Sequence, residues 1–139
     1  MILWIERCVD NQILVVKTDR EDLYNVPLAR LLEALANDSF TTFQGKQDAS
    51  RKQFKQTYKR PLVFHESLIL CPIYGFRSPH ALFINAAAIH HLEHIDRIET
   101  WVYFHHFQKK KRVPRRILVN QIAKVEEIIG ALKNKKMLT

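Results

Sequence analysis

Short apolar runs separated by polar turns open the chain and predict β-strands. Ile2–Arg7 and Gln12–Lys17 are rich in β-branched and other apolar residues, and Val9–Asn11 between them predicts a hairpin turn. Polar residues over 18–25 predict a connector, whereas weak alternation over 39–44 predicts a short strand. Further strands are predicted at 62–64 and at 68–71, where Pro72 would end the run. Residues 82–89 predict a buried strand or a small-residue segment. Residues 98–107 predict a long strand with Trp101, Tyr103 and Phe107 on one face.

Three segments carry helix signals. Pro27 stands at a first helical position, and leucines recur at intervals of three and four until residues 37–38. Residues 50–53 match a capping box, and the helix that they open should end near 59, because Pro61 disfavours helical backbone in the residue before it. The last helix has the clearest apolar stripe, formed by Leu118, Ile122, Val125, Ile129 and Leu132.

These elements predict an α+β fold: a single domain over residues 1–139, with an antiparallel sheet and about three helices, of which the C-terminal one is amphipathic. A mass of 16.4 kDa and 47% apolar residues fit one globular domain. No apolar run reaches the length of a membrane span, and Met1–Glu6 lacks the basic start of a signal peptide. We therefore expect a cytoplasmic protein, with Cys8 and Cys71 as buried structural thiols.

Charge changes this picture, because 22 Lys and Arg against 14 Asp and Glu leave a net charge of +8. Two segments without acidic residues, 51–60 and 109–116, hold eleven of these cations, and the rest of the chain has a net charge of −3. A basic excess concentrated in this way indicates a polyanionic partner such as nucleic acid. A membrane surface fits less well, since the apolar stripe of the last helix is needed for the core.

The first basic segment is predicted to contact phosphates from one side of a helix. Projected at about 100° per residue, four cations fall on an arc roughly 100° wide, with Phe54 and Tyr58 beside it. Ordinary surface helices mix charges of both signs, so the lack of acids favours binding over a merely solvated face. The predicted contacts are Arg51, Lys52, Lys55 and Lys59, followed by Arg60.

The second basic segment is predicted to be a protruding loop between a strand and the last helix. It places six cations in eight residues around Pro114. Such a loop can enter a narrow minor groove, where negative potential is concentrated. Its predicted contacts are Lys109, Lys110, Lys111, Arg112, Arg115 and Arg116.

The sequence has no enzyme motif. His90 and His94 would chelate a metal only on a helix, and no third ligand follows at a suitable spacing. Nuclease carboxylates, a phosphate-binding glycine loop and a nucleophile elbow are missing. We predict no enzyme activity, catalytic residue, metal, cofactor or small-molecule substrate. Two alternatives stay open: a toxin-like RNA-binding protein or metal-independent ribonuclease using His80 or His105 beside Arg77, and a non-catalytic domain that binds an acidic protein.

The order of short motifs over residues 39–132 resembles the ComK family, the competence transcription factors of Gram-positive bacteria. The family's Phe-Gly, Gly-Arg-Lys and Lys-x-Pro sequence is similar to Phe43-Gln-Gly45, Ser50-Arg-Lys52 and Lys59-Arg-Pro61. The likeness continues with a strand ending in Pro72, the Arg77-Ser-Pro79 loop, Leu82-Phe-Ile-Asn85 in place of Gly-Trp-Ile-Ser, and Val113-Pro114 before a helix containing Asn120-Gln121.

The resemblance implies a cytoplasmic transcription activator that binds AT-rich double-stranded DNA through the minor groove. It also implies assembly as a homodimer or higher homo-oligomer. Arg51 and Lys52 carry over as DNA contacts, because they fall in the matched Arg-Lys motif, and Arg77 follows them. The chain departs from the family pattern at Phe83, where Trp is common.

Overall fold

The computed structural model describes residues 1–40, 60–105 and 109–138, which form an α+β fold as predicted. The described ranges contain nine strands in two antiparallel sheets and two α-helices, where about three helices were predicted. The helix predicted at 50–59 lies outside the described residues. The strands are β1 (Ile2–Arg7), β2 (Ile13–Lys17), β3 (Glu21–Tyr24), β4 (Leu62–His65), β5 (Leu68–Tyr74), β6 (Leu82–Asn85), β7 (Ile89–His94), β8 (Glu99–Phe104) and β9 (Lys110–Pro114), and the helices are α1 (Leu28–Phe40) and α2 (Arg115–Leu138).

The larger sheet has the order β3-β2-β1-β6-β5-β4, so β1 lies at its centre between its hairpin partner β2 and β6. The β1–β2 turn is tight, because Asp10 and Asn11 adopt left-handed φ angles of 65° and 60°. Asp and Asn visit this region more readily than most residues, since their short side chains can hydrogen-bond locally. The predicted hairpin is confirmed.

Different elements cover the two faces of the larger sheet. On one face, α1 buries Leu28, Leu32 and Ala36 against strand residues that include Phe83. On the other face, the smaller sheet and α2 form a second core in which Phe104 and Leu118 are almost completely buried. The apolar stripe predicted for the last helix therefore packs on the sheets from Leu118 to Ile129, with Val125 over β5, and the Leu132 side chain lies outside what the structure describes.

The smaller sheet has the order β7-β8-β9 and follows β6 through one 3-10 turn. Asn85 fixes this crossing from a completely buried position. Its Oδ1 accepts from the backbone N–H groups of Ile69 (2.9 Å) and Ala87 (3.1 Å), and its Nδ2 donates to the carbonyls of Ile2 (2.7 Å) and Ser67 (2.9 Å). Because the amide uses both its donors and its acceptor, this polar side chain can be buried among apolar ones.

The connector predicted at 18–25 is wrong, because it contains β3. This strand lies at the sheet edge and pairs with β2 alone, and a 2.8 Å ion pair joins Lys17 to Asp22 across the two strands. Edge strands tolerate charged residues that a central strand would exclude. The polar composition of β3 therefore hid a strand.

The end predicted for α1 is also wrong. The helix continues through residues 37–38 to Phe40, so residues 39–40 are helical and do not open a strand. Asn and Asp cost a helix only roughly 0.7 kcal/mol each, and the packed stripe before them offsets that cost. The rest of the predicted strand, 41–44, lies outside the described residues.

Pro72 does not end β5, which continues to Tyr74. The described pairing of β4 reaches only Leu70, so at Pro72 the strand has β6 as its neighbour, and the register shifts just beyond it. Proline lacks the N–H of a full ladder and is tolerated at such irregular edge positions. Residues 82–89 are likewise not one strand, because they contain β6, the 3-10 turn and the start of β7.

The two thiols differ in burial. Cys71 is completely buried beneath α2 beside Ile69 and Val125, and this burial raises its pKa to about 12. Cys8 is only half-buried, although partial desolvation followed by the charge of Glu6 raises its pKa as well. Cys71 therefore fits the prediction of a buried structural thiol better than Cys8 does.

Candidate nucleic-acid interface

The second basic segment, 109–116, is not the protruding loop that its composition suggested. Most of it is β9, which pairs with β8 along its whole length, and α2 begins directly afterwards. Val113 is buried in the core between the sheets and so anchors the strand. Since successive side chains of a strand point to opposite faces, the cations of this segment are divided between two surfaces.

The inward cations hold the two sheets together. The Lys111 Nζ lies 3.0 Å from Glu6 Oε2 on β1 and 5.5 Å from the centre of the Trp4 ring. The Lys109 Nζ, just before β9, donates to the carbonyl of Lys17 at 2.8 Å. Both residues were predicted DNA contacts, but in the structure their ammonium groups serve the packing of β9 on the larger sheet.

The surface of the smaller sheet that points away from the larger sheet is here called the outer face. In the ladder of β8 and β9, Trp101 lies opposite Arg112 and Tyr103 lies opposite Lys110. The outer face consists of His91 and Glu93 on β7, Glu99, Trp101 and Tyr103 on β8, and Lys110 and Arg112 on β9. It therefore joins aromatic and cationic side chains, those of β8 and β9 on a ladder without a register shift.

The two outward cations have different partners. The Lys110 Nζ lies over the Trp101 ring, 4.4 Å from its centre, and 5.9 Å from the centre of the Tyr103 ring. Arg112 makes an ion pair with Glu99, so its charge is largely compensated. Within the described residues no ion pair includes Lys110, which leaves its charge available to a ligand.

The aromatic rings of the outer face are held in fixed positions. The His91 and Tyr103 rings are stacked, with centres 4.4 Å apart and planes 5° from parallel. The Tyr103 hydroxyl donates to the Glu93 carboxylate, and this hydrogen bond raises the pKa of the phenol. Tyr103 thus contacts His91 on its ring and Glu93 at its hydroxyl.

A histidine cluster borders the outer face at β7. The His90 ring lies 5.2 Å from that of His91 and 5.0 Å from that of His105, measured between centres. The stretch that contains His90 and His94 is a strand, so the helical chelate does not form, and in the ranges described no group of three or more His, Cys, Asp or Glu is arranged to hold a metal ion. His105, a candidate of the ribonuclease alternative, thus lies in this cluster.

The start of α2 adds two arginines beside β9. The Arg115 backbone N–H donates to the carbonyl of Ile98 at 2.8 Å, which fixes the first helical turn to the β7–β8 hairpin. Arg116 is exposed next to it. Four predicted contacts thus follow one another along β9 and the first turn of α2, namely Lys110, Arg112, Arg115 and Arg116.

The other predicted contacts lie elsewhere. Arg51, Lys52, Lys55 and Lys59 are outside the described residues. Arg60 is exposed just before β4, and Arg77 is exposed in the loop between β5 and β6. That loop is attached to the larger sheet, because Arg7 Nη1 donates to the carbonyl of Ser78 at 2.6 Å.

Trp101, Tyr103 and His91 were missed as candidate site residues. The alternation of the strand predicted that Trp101, Tyr103 and Phe107 share a face. This is confirmed for Trp101 and Tyr103, and Phe107 lies outside the described residues. Their association with cations was hidden, because it depends on the register of β8 with β9. A hairpin pairing of 99–104 with 110–114 would have revealed it.

Neither described α-helix has an apolar stretch of the length needed to cross a bilayer. Comparison of the chain with family models, with curated proteins and with solved structures finds no match in any of the three.

Proposed function

We propose that the protein binds double-stranded DNA as a transcription regulator of the ComK type. The observation that carries the proposal is the series of cations on regular backbone, with Lys110 and Arg112 on the outer face of β9 and Arg115 and Arg116 in the first turn of α2. Cations on rigid elements can neutralise neighbouring phosphates without the ordering cost of a flexible loop. Arg112 would exchange Glu99 for a phosphate oxygen.

The charge at the start of α2 supports an anionic partner. Arg115 and Arg116 face the positive end of the helix dipole, and no acidic residue in the first turn offsets them. A phosphate bound there would accept hydrogen bonds from the guanidinium groups and from N–H groups of the turn other than that of Arg115, which donates to Ile98. The positive charge of these two arginines therefore disfavours the start of α2 in the free protein and favours the binding of an anion there.

The first basic segment, 51–60, supplies further phosphate contacts in this proposal, and Arg77 probes an AT-rich minor groove. The base edges of that groove discriminate poorly, so sequence preference would come from groove width and deformability. A homodimer would add specificity through the spacing of two half-sites. The proposal includes activation of transcription in the cytoplasm, and it requires no catalytic residue, metal, cofactor or small-molecule substrate.

Selection from a random duplex pool, followed by salt titration of the selected sequence, tests this proposal. We expect enrichment of spaced A/T runs and a log–log salt slope of about −5, because roughly six phosphates would be neutralised. Arg116→Gln should weaken binding and make the slope shallower by about 0.9. Arg30→Gln is the matched control, since Arg30 is exposed on α1, which covers the opposite face of the larger sheet.

A slope near zero, or equal losses in the two arginine variants, would contradict the proposal. Tight binding without enrichment would reduce it to sequence-independent DNA binding. RNA cleavage that survives a chelator and disappears on substitution of His80 or His105 would replace it with the ribonuclease alternative.

A further inference from the structure

We infer that the outer face of the smaller sheet binds unpaired bases of a single DNA strand by stacking, with Trp101 as the principal platform. The inference rests on the proposed function, since it assigns one part of the same interface to a distinct chemical form of DNA. The juxtaposition that carries it is Lys110 directly above Trp101, beside the stacked pair of Tyr103 and His91.

The geometry of the outer face suits a strand whose bases are separated. Trp101 and Tyr103 are two residues apart on β8, so their side chains project from the same face about 7 Å apart along the strand. Such spacing on an open sheet allows two successive bases to contact two different rings. Bases within a duplex are already stacked on each other and cannot offer their faces, so only unpaired bases can stack on these rings.

Lys110 marks where a base would sit. Its ammonium lies 4.4 Å from the centre of the Trp101 ring and has no carboxylate partner among the described residues. A base can take its place on the ring, and the flexible lysine stem then allows the ammonium to reach the adjoining phosphate. The ammonium then pairs with a phosphate, and the Trp101 ring stacks on a base, which covers more of the ring than the ammonium does.

The charges of the outer face favour stacking over electrostatic attraction. Glu99 compensates Arg112, and Glu93 keeps its negative charge while it accepts from the Tyr103 hydroxyl, so the outer face has little net positive charge even with Lys110. Single-strand binding should therefore depend weakly on salt, with a slope of about −1 for one or two phosphates. Duplex binding through the cations of the proposed function should depend steeply on salt, which separates the two modes.

A single-tryptophan variant provides the direct test. The chain has two tryptophans, and Trp4→Phe leaves Trp101 as the sole indole reporter. A short oligothymidylate should quench its fluorescence to saturation, whereas an abasic oligonucleotide with the same number of phosphates should not. In the unaltered chain, measured by anisotropy of a labelled oligothymidylate, Trp101→Ala should weaken binding about 5- to 150-fold, the range expected for one stacked base.

Tyr74→Ala is the matched control for Trp101→Ala, because Tyr74 is a 41% exposed aromatic at the end of β5 in the other sheet. It should leave oligothymidylate affinity unchanged. Trp101→Ala should also leave duplex affinity within about twofold. Tyr103→Leu is a second variant: it removes an aromatic ring but keeps apolar bulk on the outer face, and it should weaken oligothymidylate binding.

The outcomes separate the inference from the function on which it rests. Equal affinity for abasic and thymidylate strands, without quenching of Trp101, would overturn the stacking site while leaving duplex binding intact. Quenching by thymidylate without any duplex binding would overturn the proposed function and keep the site. Quenching by oligouridylate alone would overturn its assignment to DNA.

Discussion

The two faces of the smaller sheet are built from the same three strands, but one packs in the core and the other carries the candidate binding residues. The inner face places Val102, Phe104 and Val113 in the core between the sheets. The outer face carries Trp101 and Tyr103 at the intervening positions of the same strand. The comparison shows that strand alternation, more than overall composition, decides which aromatic residues stabilise the fold and which remain available to a ligand.

The same alternation separates neighbouring cations. Lys110 and Lys111 are adjacent in the chain, yet Lys111 is paired with Glu6 beneath the sheet and Lys110 lies above Trp101 on the outer face. Counting the charges of a segment therefore overstates its capacity to bind phosphate. At least Lys109 and Lys111 among the six cations of this segment are engaged in the structure of the protein itself.

The largest expected effect comes from breaking the inner face. Phe104→Ala should lower the free energy of unfolding by about 3–5 kcal/mol, because it empties a site that is only 2% exposed and contacts Trp4. Urea unfolding followed by circular dichroism measures this loss. Trp101→Ala on the same strand should cost clearly less, and equal losses would show that the two faces do not differ as described.

The adjacent lysines give a sharper comparison. Lys110→Met should make the salt slope of duplex binding shallower by about 0.9 and leave stability nearly unchanged. Lys111→Met should leave the slope unchanged and cost up to about 1 kcal/mol of unfolding free energy, as expected for a partly exposed ion pair. Salt titrations and urea unfolding of both variants measure the two quantities. Interchanged results would place Lys111 at the DNA.

Thiol labelling compares buried and accessible positions without any substitution. At mildly alkaline pH a thiol reagent should modify Cys8 in the folded protein, whereas Cys71 should react only after unfolding, because its burial raises its pKa to about 12 and blocks access. Mass spectrometry of the labelled peptides in buffer and in denaturant tests this. Rapid labelling of Cys71 in buffer would mean that α2 detaches readily from β5.

The smallest effect concerns the Tyr103–Glu93 hydrogen bond on the outer face. The raised pKa of Tyr103 means that folding favours the neutral phenol. The corresponding stability is complete below the ordinary tyrosine pKa of about 10 and is lost as pH rises through the folded value. Ultraviolet titration, with Tyr103→Phe subtracted, should show this phenol ionising late. Glu93→Gln should move its ionisation to lower pH, and no movement would exclude Glu93 as the cause.

Local signals predicted much of the fold. The β1–β2 hairpin and the stripe of α2 depend on neighbouring residues, and both are confirmed. β3 escaped prediction because its edge position, a property of the whole sheet, permits its polar residues. β9 escaped for a similar reason, since a run of cations becomes a strand only when β8 is available to pair with it.

The candidate site was predictable only in part. Composition identified Lys110, Arg112, Arg115 and Arg116, and alternation placed Trp101 with Tyr103. The register of β8 with β9 brings the aromatic and cationic residues together. Lys111 is excluded from the candidate site by its contact with Glu6, more than a hundred positions earlier in the chain. Neither relation is encoded in local spacing.

The central position of β1 also constrains when the protein can fold. Its pairing with β6 joins residues 76 to 80 positions apart, and the hydrogen bond from Asn85 to the Ile2 carbonyl joins residues 83 positions apart. Contacts of such long range close slowly, because the intervening chain must first lose its freedom. During synthesis one edge of β1 in the β1–β2 hairpin therefore stays unpaired until β6 has left the ribosome.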